Sequence, residues 1–299
     1  MAWRLDWSRD GADWPHRAQS HFVEAGGVRW HVQITGSGPA VLLLHGTGGA
    51  THSWAGVMDH LVRHATLIVP DLPGHGFSTT GRGADISLPG MARSLGALCR
   101  ALGQAPDLIV GHSAGAAIAL AMAHRSLASP RRIIAFNGAL TPFRGIAALL
   151  FPMMARALSL NPFTPGVVSR TASDPASVDR LLRGTGSEVP ADTRALYAKL
   201  VASPGHIDGA LRMMARWELE PLEAAFPQIT VPVTLVYGER DRAVPPRETR
   251  AAARALPQTE EIMLPALGHL MHEEDPALLA DLILQRLQSA PVAGAVNHS

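Results

Sequence analysis

A short apolar run, a glycine-flanked turn and an alanine-rich segment follow one another over residues 108–120, and this succession restricts the fold more than any other feature. The run at 108–110 leads into Gly111-His-Ser-Ala-Gly115. Glycines at both ends permit a tight, strained turn in which larger side chains would meet neighbouring backbone. Such a turn exposes Ser113 at the N-terminus of a helix, where negative charge is favoured. On the pentapeptide alone, an ordinary N-cap serine remains the alternative interpretation.

Short apolar runs separated by helix-like segments predict a mostly parallel sheet, because parallel strands are buried on both faces. These runs occupy residues 40–44, 66–69, 108–110, 133–136, 231–237 and, as a last short strand, 262–264. Two further runs, 21–24 and 28–34, flank Gly26-Gly27 and predict an antiparallel hairpin at a sheet edge. A final helix is predicted over 276–288. The fold class expected is therefore α/β, with an eight-stranded sheet and helices on both faces.

This alternation stops between Thr141 and about Phe226, where the chain is rich in Leu, Met, Pro and Ala and has helical spacing. Pro142 and Pro221 lie near the two junctions. We interpret 141–226 as an inserted helical cap on a core formed by 1–140 and 227–299. Flexible apolar side chains of the cap would roof the site, although packing of cap on core explains the same pattern. They are Leu149, Leu150, Met153, Met154, Met213, Met214 and Trp217.

Partners that would activate Ser113 follow later strands. A serine hydroxyl needs an imidazole to take its proton, and His269 follows the run at 262–264 with Gly268 beside it. An acid must then fix the tautomer of that imidazole, and Asp241 follows the preceding apolar strand. The order serine, acid, base is the one expected for a nucleophile carried on such a turn. The predicted catalytic residues are Ser113, Asp241 and His269.

Two other residues compete for the roles of base and acid. His272 lies three residues after His269 and is interpreted as a helix N-terminal or surface histidine. Glu239 could replace Asp241, but its expected place is on the surface of the same loop. The other strand end that could carry the acid has Asn137, which cannot hold a negative charge. These comparisons favour Asp241 and His269.

A tetrahedral intermediate needs two backbone N–H donors aimed at its oxyanion. Ala114, directly after the nucleophile, would supply one of them. The loop His45-Gly-Thr-Gly-Gly49 would supply the other, and we choose Thr47 over Gly46. A plain glycine turn would also explain this loop, just as Pro and Gly explain the turn at 71–78, to which no chemistry is assigned.

Composition excludes several classes of protein. The 26 basic and 25 acidic residues are spread along the chain, so no nucleic-acid partner is expected. Cys99 is the single cysteine and reads as a buried helix residue. Residues 1–17 lack the apolar core of a signal peptide, which predicts a cytoplasmic protein. The longest apolar stretch, 146–155, contains Pro152 and is too short to span a bilayer, though lying on one is left open.

These residues resemble the α/β-hydrolase superfamily over nearly the whole chain. A narrower similarity is to the hydrolases of bacteriochlorophyll biosynthesis labelled magnesium-chelatase accessory proteins. It rests on residues 30–33, 45–48, 52–54, 87–92, 111–120, 137–140, 184–187, 209–214 and 267–270. This resemblance implies a photosynthetic bacterium and a tetrapyrrole pathway. It leaves association with magnesium chelatase or with the photosynthetic membrane open.

The sequence thus predicts an esterase-like serine hydrolase that acts on a hydrophobic small molecule through an acyl-Ser113 intermediate. No cofactor or metal is expected. Dehalogenase and epoxide hydrolase chemistry is disfavoured, because Ser113 stands where those enzymes carry Asp. A pigment-binding or chelatase-assisting protein on the same scaffold is the alternative, since a fold does not guarantee chemistry.

Overall fold

A computed structural model describes residues 4–81, 83–142, 161, 163–172 and 174–289. Its strands are β1 Ser20–Ala25, β2 Val28–Gly36, β3 Ala40–Leu44, β4 Thr66–Pro70, β5 Thr79–Thr80, β6 Leu108–His112, β7 Arg132–Phe136, β8 Val233–Gly238 and β9 Thr259–Leu264. They form one sheet in the order β1-β2-β4-β3-β6-β7-β8-β9, with β5 paired to β2. All pairs from β4 to β9 along this path are parallel. The mostly parallel eight-stranded sheet is confirmed, and the two-residue β5 is an addition that was not predicted.

The edges of the sheet differ from its centre. β1 and β2 pair antiparallel around Gly26 and Gly27, whose φ angles of +58° and +76° suit a two-residue hairpin turn. The predicted hairpin is therefore confirmed. At the other edge, β9 begins at Thr259 rather than at the predicted 262. Its residues alternate between exposed and half-buried, so the first half of the strand is polar and has no continuous apolar run by which to predict it.

The described helices are α1 Trp7–Asp10, α2 Ala55–Leu61, α3 Leu88–Ala101, α4 Ala114–His124, α5 Thr164–Ala172, α6 Pro175–Gly184, α7 Ala191–Val201, α8 Pro204–Met214, α9 Glu220–Ala225, α10 Pro246–Ala255, α11 Met271–Glu274 and α12 Pro276–Gln288. Short 3₁₀ turns cover Arg17–Gln19, Thr51–Trp54 and Phe226–Gln228. Helix α12 matches the predicted 276–288, and Cys99 is buried in α3 as expected.

Two apolar layers lie on opposite faces of the sheet, because successive strand residues point to opposite sides. Leu42 and Leu44 of β3 pack with α3 and α4 on one face. Val41 and Leu43 of the same strand pack with α2 and α12 on the other. Helices on both faces are thereby confirmed.

Between β7 and β8 the described residues form helices α5 to α9. Leu222 of α9 belongs to the same apolar cluster as α4, whereas Val178, Leu182 and Leu200 form a separate cluster with the N-terminal segment. The division at 141–226 into cap and core stays a prediction. The predicted apolar stretch 146–155, with Leu149, Leu150, Met153 and Met154, lies outside the described residues.

The N-terminal segment is attached to these helices. Trp14 packs in their cluster, and its indole N–H donates to Thr51 Oγ1 at 2.8 Å. The Lys199 ammonium of α7 donates to the Asp10 carbonyl at 2.9 Å. Within the described part of the chain, no helix combines the length and apolar character needed to cross a membrane.

Candidate active site

Ser113 stands at the end of β6 with a φ of +52°, an unusual value for a residue with a side chain. Its N–H donates to the Phe136 carbonyl at 2.9 Å. Its own carbonyl accepts the N–H groups of Ala116 and Ala139, both at 3.1 Å. Backbone hydrogen bonds from neighbouring segments therefore maintain the strained turn.

The two glycines of the turn are required by close approach of backbone. A Cβ placed on Gly111 would lie 2.4 Å from the Ala116 nitrogen, and one on Gly115 would lie 2.3 Å from the Leu44 carbonyl oxygen. Both distances are far below van der Waals contact. Ala114 begins α4, so its N–H has no acceptor within the helix and is free to serve a ligand.

The loop after β3 reaches the same turn. A Cβ on Gly46 would lie 2.9 Å from the Ser113 Cβ, so the loop directly touches the predicted nucleophile. The Gly46 carbonyl accepts from the Gly49 N–H at 3.1 Å and from His45 Nδ1 at 2.7 Å. Because the C=O and N–H of a trans peptide point in opposite directions, these bonds direct the Thr47 N–H away from the loop interior.

His45 orients this peptide group, a role that the sequence analysis missed. The Leu72 N–H donates to His45 Nε2 at 2.9 Å, so Nε2 is the acceptor and Nδ1 carries the proton given to Gly46. Burial, with repulsion from His75, lowers the pKa of His45 to about 3. The ring is therefore neutral at physiological pH and keeps one tautomer.

Asp241 and His269 are hydrogen-bonded, with His269 Nδ1 at 2.8 Å from Asp241 Oδ2. The other carboxylate oxygen accepts the N–H groups of Ala243 and Val244, each at 2.8 Å. The carboxylate is fully buried, while 10% of the His269 side chain is exposed. Because Nδ1–H faces the carboxylate, Nε2 of the neutral ring is left as an acceptor.

Polar side chains hold the loop that carries His269. Asn137 Nδ2 donates to the carbonyls of Gly268 and His269 at 2.8 and 2.9 Å, and its Oδ1 accepts the Gly238 N–H at 2.9 Å. His112 Nε2 donates to the His269 carbonyl at 2.9 Å. Burial and neighbouring histidines keep the pKa of His112 well below its usual value. From the sequence, Asn137 is only a residue that cannot hold a negative charge, because hydrogen bonds to a loop more than 100 residues away leave no local pattern.

The loop between α6 and α7 lies between the two loops that carry the acid and the histidine. A Cβ on Gly186 would lie 1.9 Å from the Arg240 carbonyl oxygen, and one on Gly268 would lie 2.3 Å from that of Gly186. Ser187 Oγ accepts the Leu270 N–H at 2.8 Å. Only its resemblance to a family marked this segment in the sequence, because no local pattern predicts a contact with two distant loops.

The two competing residues have different outcomes. Glu239 is exposed, as expected. His272 is the second residue of α11, so its interpretation as a helix N-terminal histidine is confirmed. The alternative, a surface histidine, is wrong, since the residue is 1% exposed and its ring lies 4.5 Å from the rings of both Trp54 and His112. Burial lowers the pKa of His272 to about 3. His272 is buried because the 3₁₀ turn at Thr51–Trp54 covers one side of α11. This contact joins residues more than 200 positions apart, so the local sequence does not predict it.

A cavity of about 240 Å³ brings Thr47, Ser113 and His269 together. Its apolar lining comes from α6, α7 and α8, through Leu181, Leu182, Val201, Ile207 and Ala210. These replace the predicted Met213, Met214 and Trp217, which do not line this cavity; Met213 is completely buried. Among the described hydrogen bonds none joins Ser113 Oγ to His269, and such bonds often form only once substrate is bound.

A second Ser, His and Asp group lies apart from this cavity. The Ser20 hydroxyl is 3.0 Å from His31 Nε2, and His31 Nδ1 is 2.8 Å from Asp71 Oδ2. The Asp71 carboxylate also accepts the N–H groups of Thr51 at 2.7 Å and Phe77 at 2.8 Å. Aromatic rings surround the imidazole: Trp7, Phe22 and Phe77. Burial alone would raise the pKa of Asp71, but the charge and hydrogen bond of His31 and the backbone donor outweigh it and lower that pKa to about 2.

The model of the alpha/beta hydrolase fold family matches residues 39–276. The chain therefore belongs to the α/β-hydrolase family. It is 42% identical over 280 residues to the magnesium-chelatase 30 kDa subunit of Rhodobacter capsulatus, covering 93% of this chain and 97% of that protein. It is also 27% identical to the pimeloyl-[acyl-carrier protein] methyl ester esterase of Vibrio atlanticus, covering 85% of this chain and 96% of that one.

Solved structures agree on the fold. An α/β hydrolase fold protein from Burkholderia ambifaria has a TM-score of 0.75 at 21% identity and covers 96% of this chain and 100% of its own. A thermophilic esterase from Thermogutta terrifontis has a TM-score of 0.72 at 23% identity, with coverages of 90% and 100%. Hydrolase relatives on a hydrolase fold support hydrolase activity in general. Within the described residues, no group of three or more His, Cys, Asp or Glu is placed to hold a metal ion.

Proposed function

We propose that this protein is a serine hydrolase that cleaves an ester of a hydrophobic small molecule, with Ser113, His269 and Asp241 as its catalytic residues. The observation that carries the proposal is that the hydrogen-bonded Asp241–His269 pair and the strained Ser113 turn open into one cavity. Nucleophile, base and acid in this arrangement are what acyl transfer to serine requires.

In the proposed reaction, Asp241 keeps the proton of His269 on Nδ1, so that Nε2 accepts the Ser113 proton as Oγ attacks the ester carbonyl carbon. The resulting oxyanion accepts hydrogen bonds from the N–H groups of Ala114 and Thr47. His269 then protonates the leaving alkoxide. Water next attacks the acyl-Ser113 carbonyl and gives a proton to His269, which returns it to Ser113 Oγ as the carboxylic acid leaves.

The substrate class is proposed from the cavity lining and from a relative. Apolar side chains of α6 to α8 line the cavity together with Ser113, which suits an apolar substrate. We include residues 141–226 in the proposal as the cap that provides this lining. A tetrapyrrole ester is the proposed substrate, because the relative at 42% identity is named a magnesium-chelatase subunit. The proposed chemistry uses no cofactor.

A fluorophosphonate probe tests the proposed nucleophile, since such probes phosphonylate activated serines. The wild-type protein should be labelled, and Ser113→Ala should not. Ser20→Ala is the matched control, because Ser20 also contacts a histidine that is bonded to an aspartate. Labelling that persists in Ser113→Ala would refute the assignment of the site.

The name of the same relative favours a second candidate, a pigment-binding or chelatase-assisting protein that works without turnover. In this version the protein associates with magnesium chelatase or peripherally with the photosynthetic membrane, and the apolar cavity only holds the pigment. Complementation of a pathway-deficient photosynthetic bacterium separates the two functions. Full pigment synthesis with Ser113→Ala or His269→Ala would favour binding, whereas accumulation of an esterified intermediate would favour hydrolysis.

A further inference from the structure

His206, in the first turn of α8, connects two loops of the core. Its Nδ1 accepts the Gly76 N–H at 3.0 Å, and its Nε2 lies 3.1 Å from the Gly48 carbonyl oxygen. The first contact belongs to the turn after β4, and the second to the loop that carries Thr47. The ring is 3% exposed. A single side chain therefore connects α8 to the loop of the predicted oxyanion donor.

These two contacts determine the tautomer of His206. A backbone N–H can only donate, so Nδ1 must be the acceptor and the proton must lie on Nε2, from which it is donated to Gly48. Burial and the nearby His75 lower the pKa of His206 to about 3, so the ring stays neutral. The hydrogen bond to the oxyanion loop is therefore present throughout the physiological pH range.

The rest of α8 keeps His206 at this distance. A Cβ on Gly209 would lie 1.9 Å from the Gly74 carbonyl oxygen, so helix and turn are in direct backbone contact. Met213 adds a contact about one turn beyond Gly209, with its Sδ 3.6 Å from the Thr47 hydroxyl. Ile207 and Ala210 of the same helix line the cavity. One helix thus contacts the substrate space and the oxyanion loop together.

We propose that His206 is a positioning residue that holds the Gly46–Gly49 loop so that the Thr47 N–H faces the oxyanion. The inference rests on the proposed function, and it adds a dependence of the oxyanion site on α8. His206 also lines the cavity, but no bond of the proposed reaction is made or broken on its ring, so it acts on the donor through the loop.

Two substitutions separate the two hydrogen bonds of the ring. In His206→Asn the amide reaches the Nδ1 position, so the Gly76 contact can persist while the bond to Gly48 is lost. In His206→Gln the amide reaches the Nε2 position and can donate to Gly48. We expect kcat for a chromogenic short-chain ester to fall about tenfold in His206→Asn with KM within about twofold, a smaller loss than removal of an oxyanion donor itself. His206→Gln should recover most of kcat.

Asp208→Asn is the matched control, because Asp208 lies on the same helix and its ion pair among the described residues is with Arg212 at 3.7 Å. It should leave kcat and KM unchanged. Thermal midpoints of all variants show whether the assay temperature leaves them folded. The proposal is overturned if His206→Asn equals wild type, if only KM rises, or if the lost activity merely follows the lost folded fraction.

Failure of the proposed function gives a different pattern. If the fluorophosphonate labels Ser113 but no ester is hydrolysed, the labelling rates of the two variants replace kcat in the same comparison. If Ser113 is neither labelled nor needed for turnover, the proposed function fails, and so does the positioning role that depends on it. The hydrogen bonds of His206 can then still be tested by the nitrogen chemical shifts of its ring in the wild-type protein. A proton on Nδ1 would contradict the contact in which Nδ1 accepts the Gly76 N–H.

Discussion

The molecule contains the same three side chains twice. In both groups a histidine Nδ1 lies 2.8 Å from a buried carboxylate oxygen. The serines differ. Ser20 lies at the start of β1 with an extended backbone and 3.0 Å from its histidine, whereas Ser113 has a φ of +52° and precedes a helix. Ser113 faces a cavity, while His31 is enclosed by aromatic rings.

Side-chain distances alone therefore do not distinguish Ser113, the proposed nucleophile, from Ser20. The Asp71 group has the more complete set of contacts, because its serine is hydrogen-bonded to its histidine, yet it has no helix N-terminus beside that serine. What the Ser113 group adds is two backbone donors, on Ala114 and Thr47, that hydrogen bonds elsewhere leave free to face a ligand. We interpret the Asp71 group as an anchor that joins β2, the turn at 71–78 and Thr51, and we propose the Asp241 group as the catalytic site.

The largest expected effect comes from exchanging the two serines for alanine. Ser113→Ala should lower kcat by about 10⁶, because the nucleophile is lost while the protein stays folded. Ser20→Ala should leave kcat within about twofold of wild type. Steady-state kinetics on one ester substrate measure both, and a large loss in Ser20→Ala would invalidate the contrast between the groups.

The two aspartates should respond in opposite ways to the same change. Asp241→Asn should lower kcat about 10⁴-fold with little loss of stability, because the amide favours the wrong tautomer of His269. Asp71→Asn should instead cost about 3 kcal/mol of unfolding free energy, since its amide N–H₂ would face N–H donors in a fully buried site. Urea unfolding and kcat per folded molecule are measured for each variant. Equal effects of the two changes on kcat would contradict our interpretation.

Buried histidines beside both groups predict a loss of stability in acid. Burial lowers the pKa of His52, near Asp71, to about 4 and that of His272, near His269, to about 3. The unfolded chain takes up these protons near pH 6.5 and the folded chain does not. The free energy of unfolding should therefore fall from pH 6.5 towards 4, by about 1.4 kcal/mol per pH unit for each histidine.

Urea unfolding at pH 7, 6 and 5 checks this prediction. In His52→Leu the slope of the unfolding free energy against pH should fall by about 1.4 kcal/mol per pH unit, which corresponds to one proton fewer taken up on unfolding. Asp71 acts in a separate window. Its lowered pKa gives stability that is present above about pH 4 and is lost as the pH falls towards 2. An unchanged slope in His52→Leu would mean that this ring is protonated in the folded protein.

The smallest effect is expected at Glu273, which accepts the Tyr197 hydroxyl proton in a hydrogen bond of 2.7 Å. Burial raises the pKa of Glu273 to about 8, so its stabilising contribution is complete below about pH 4.5 and is lost as the pH rises to 8. Glu273→Gln should therefore raise the unfolding free energy by about 2 kcal/mol at pH 8 and not at pH 4.5. A destabilised Glu273→Gln at pH 8 would show that the carboxylate is tolerated.

Much of the architecture could be predicted from the sequence, because a parallel sheet buried on both faces leaves continuous apolar runs. The run at 40–44 is observed unchanged as β3, and α12 has the predicted bounds. Strand β9 was predicted three residues too short, because an edge strand alternates with polar residues. β5 is too short to leave any periodic signal.

The supporting contacts of the site could not be predicted in the same way. His45, Asn137 and His206 act through hydrogen bonds to backbone groups distant in sequence, and such bonds have no residue pattern of their own. The burial of His272 likewise depends on Trp54, which lies on another element. The sequence predicts Met213 and Met214 of α8 near the cavity. In the structure, the residues of α8 that line the cavity include Ile207 and Ala210 instead.

The contact between Gly74 and Gly209 has a consequence for redesign of the cavity. With no room for even one Cβ between them, the height of α8 above the core is set by main-chain shape. A side chain added at Gly209 would push the helix away from the turn and, with it, the residues of α8 that line the cavity. To accept a larger substrate, the cavity should therefore be widened by a smaller side chain at Ile207, which leaves the helix in place.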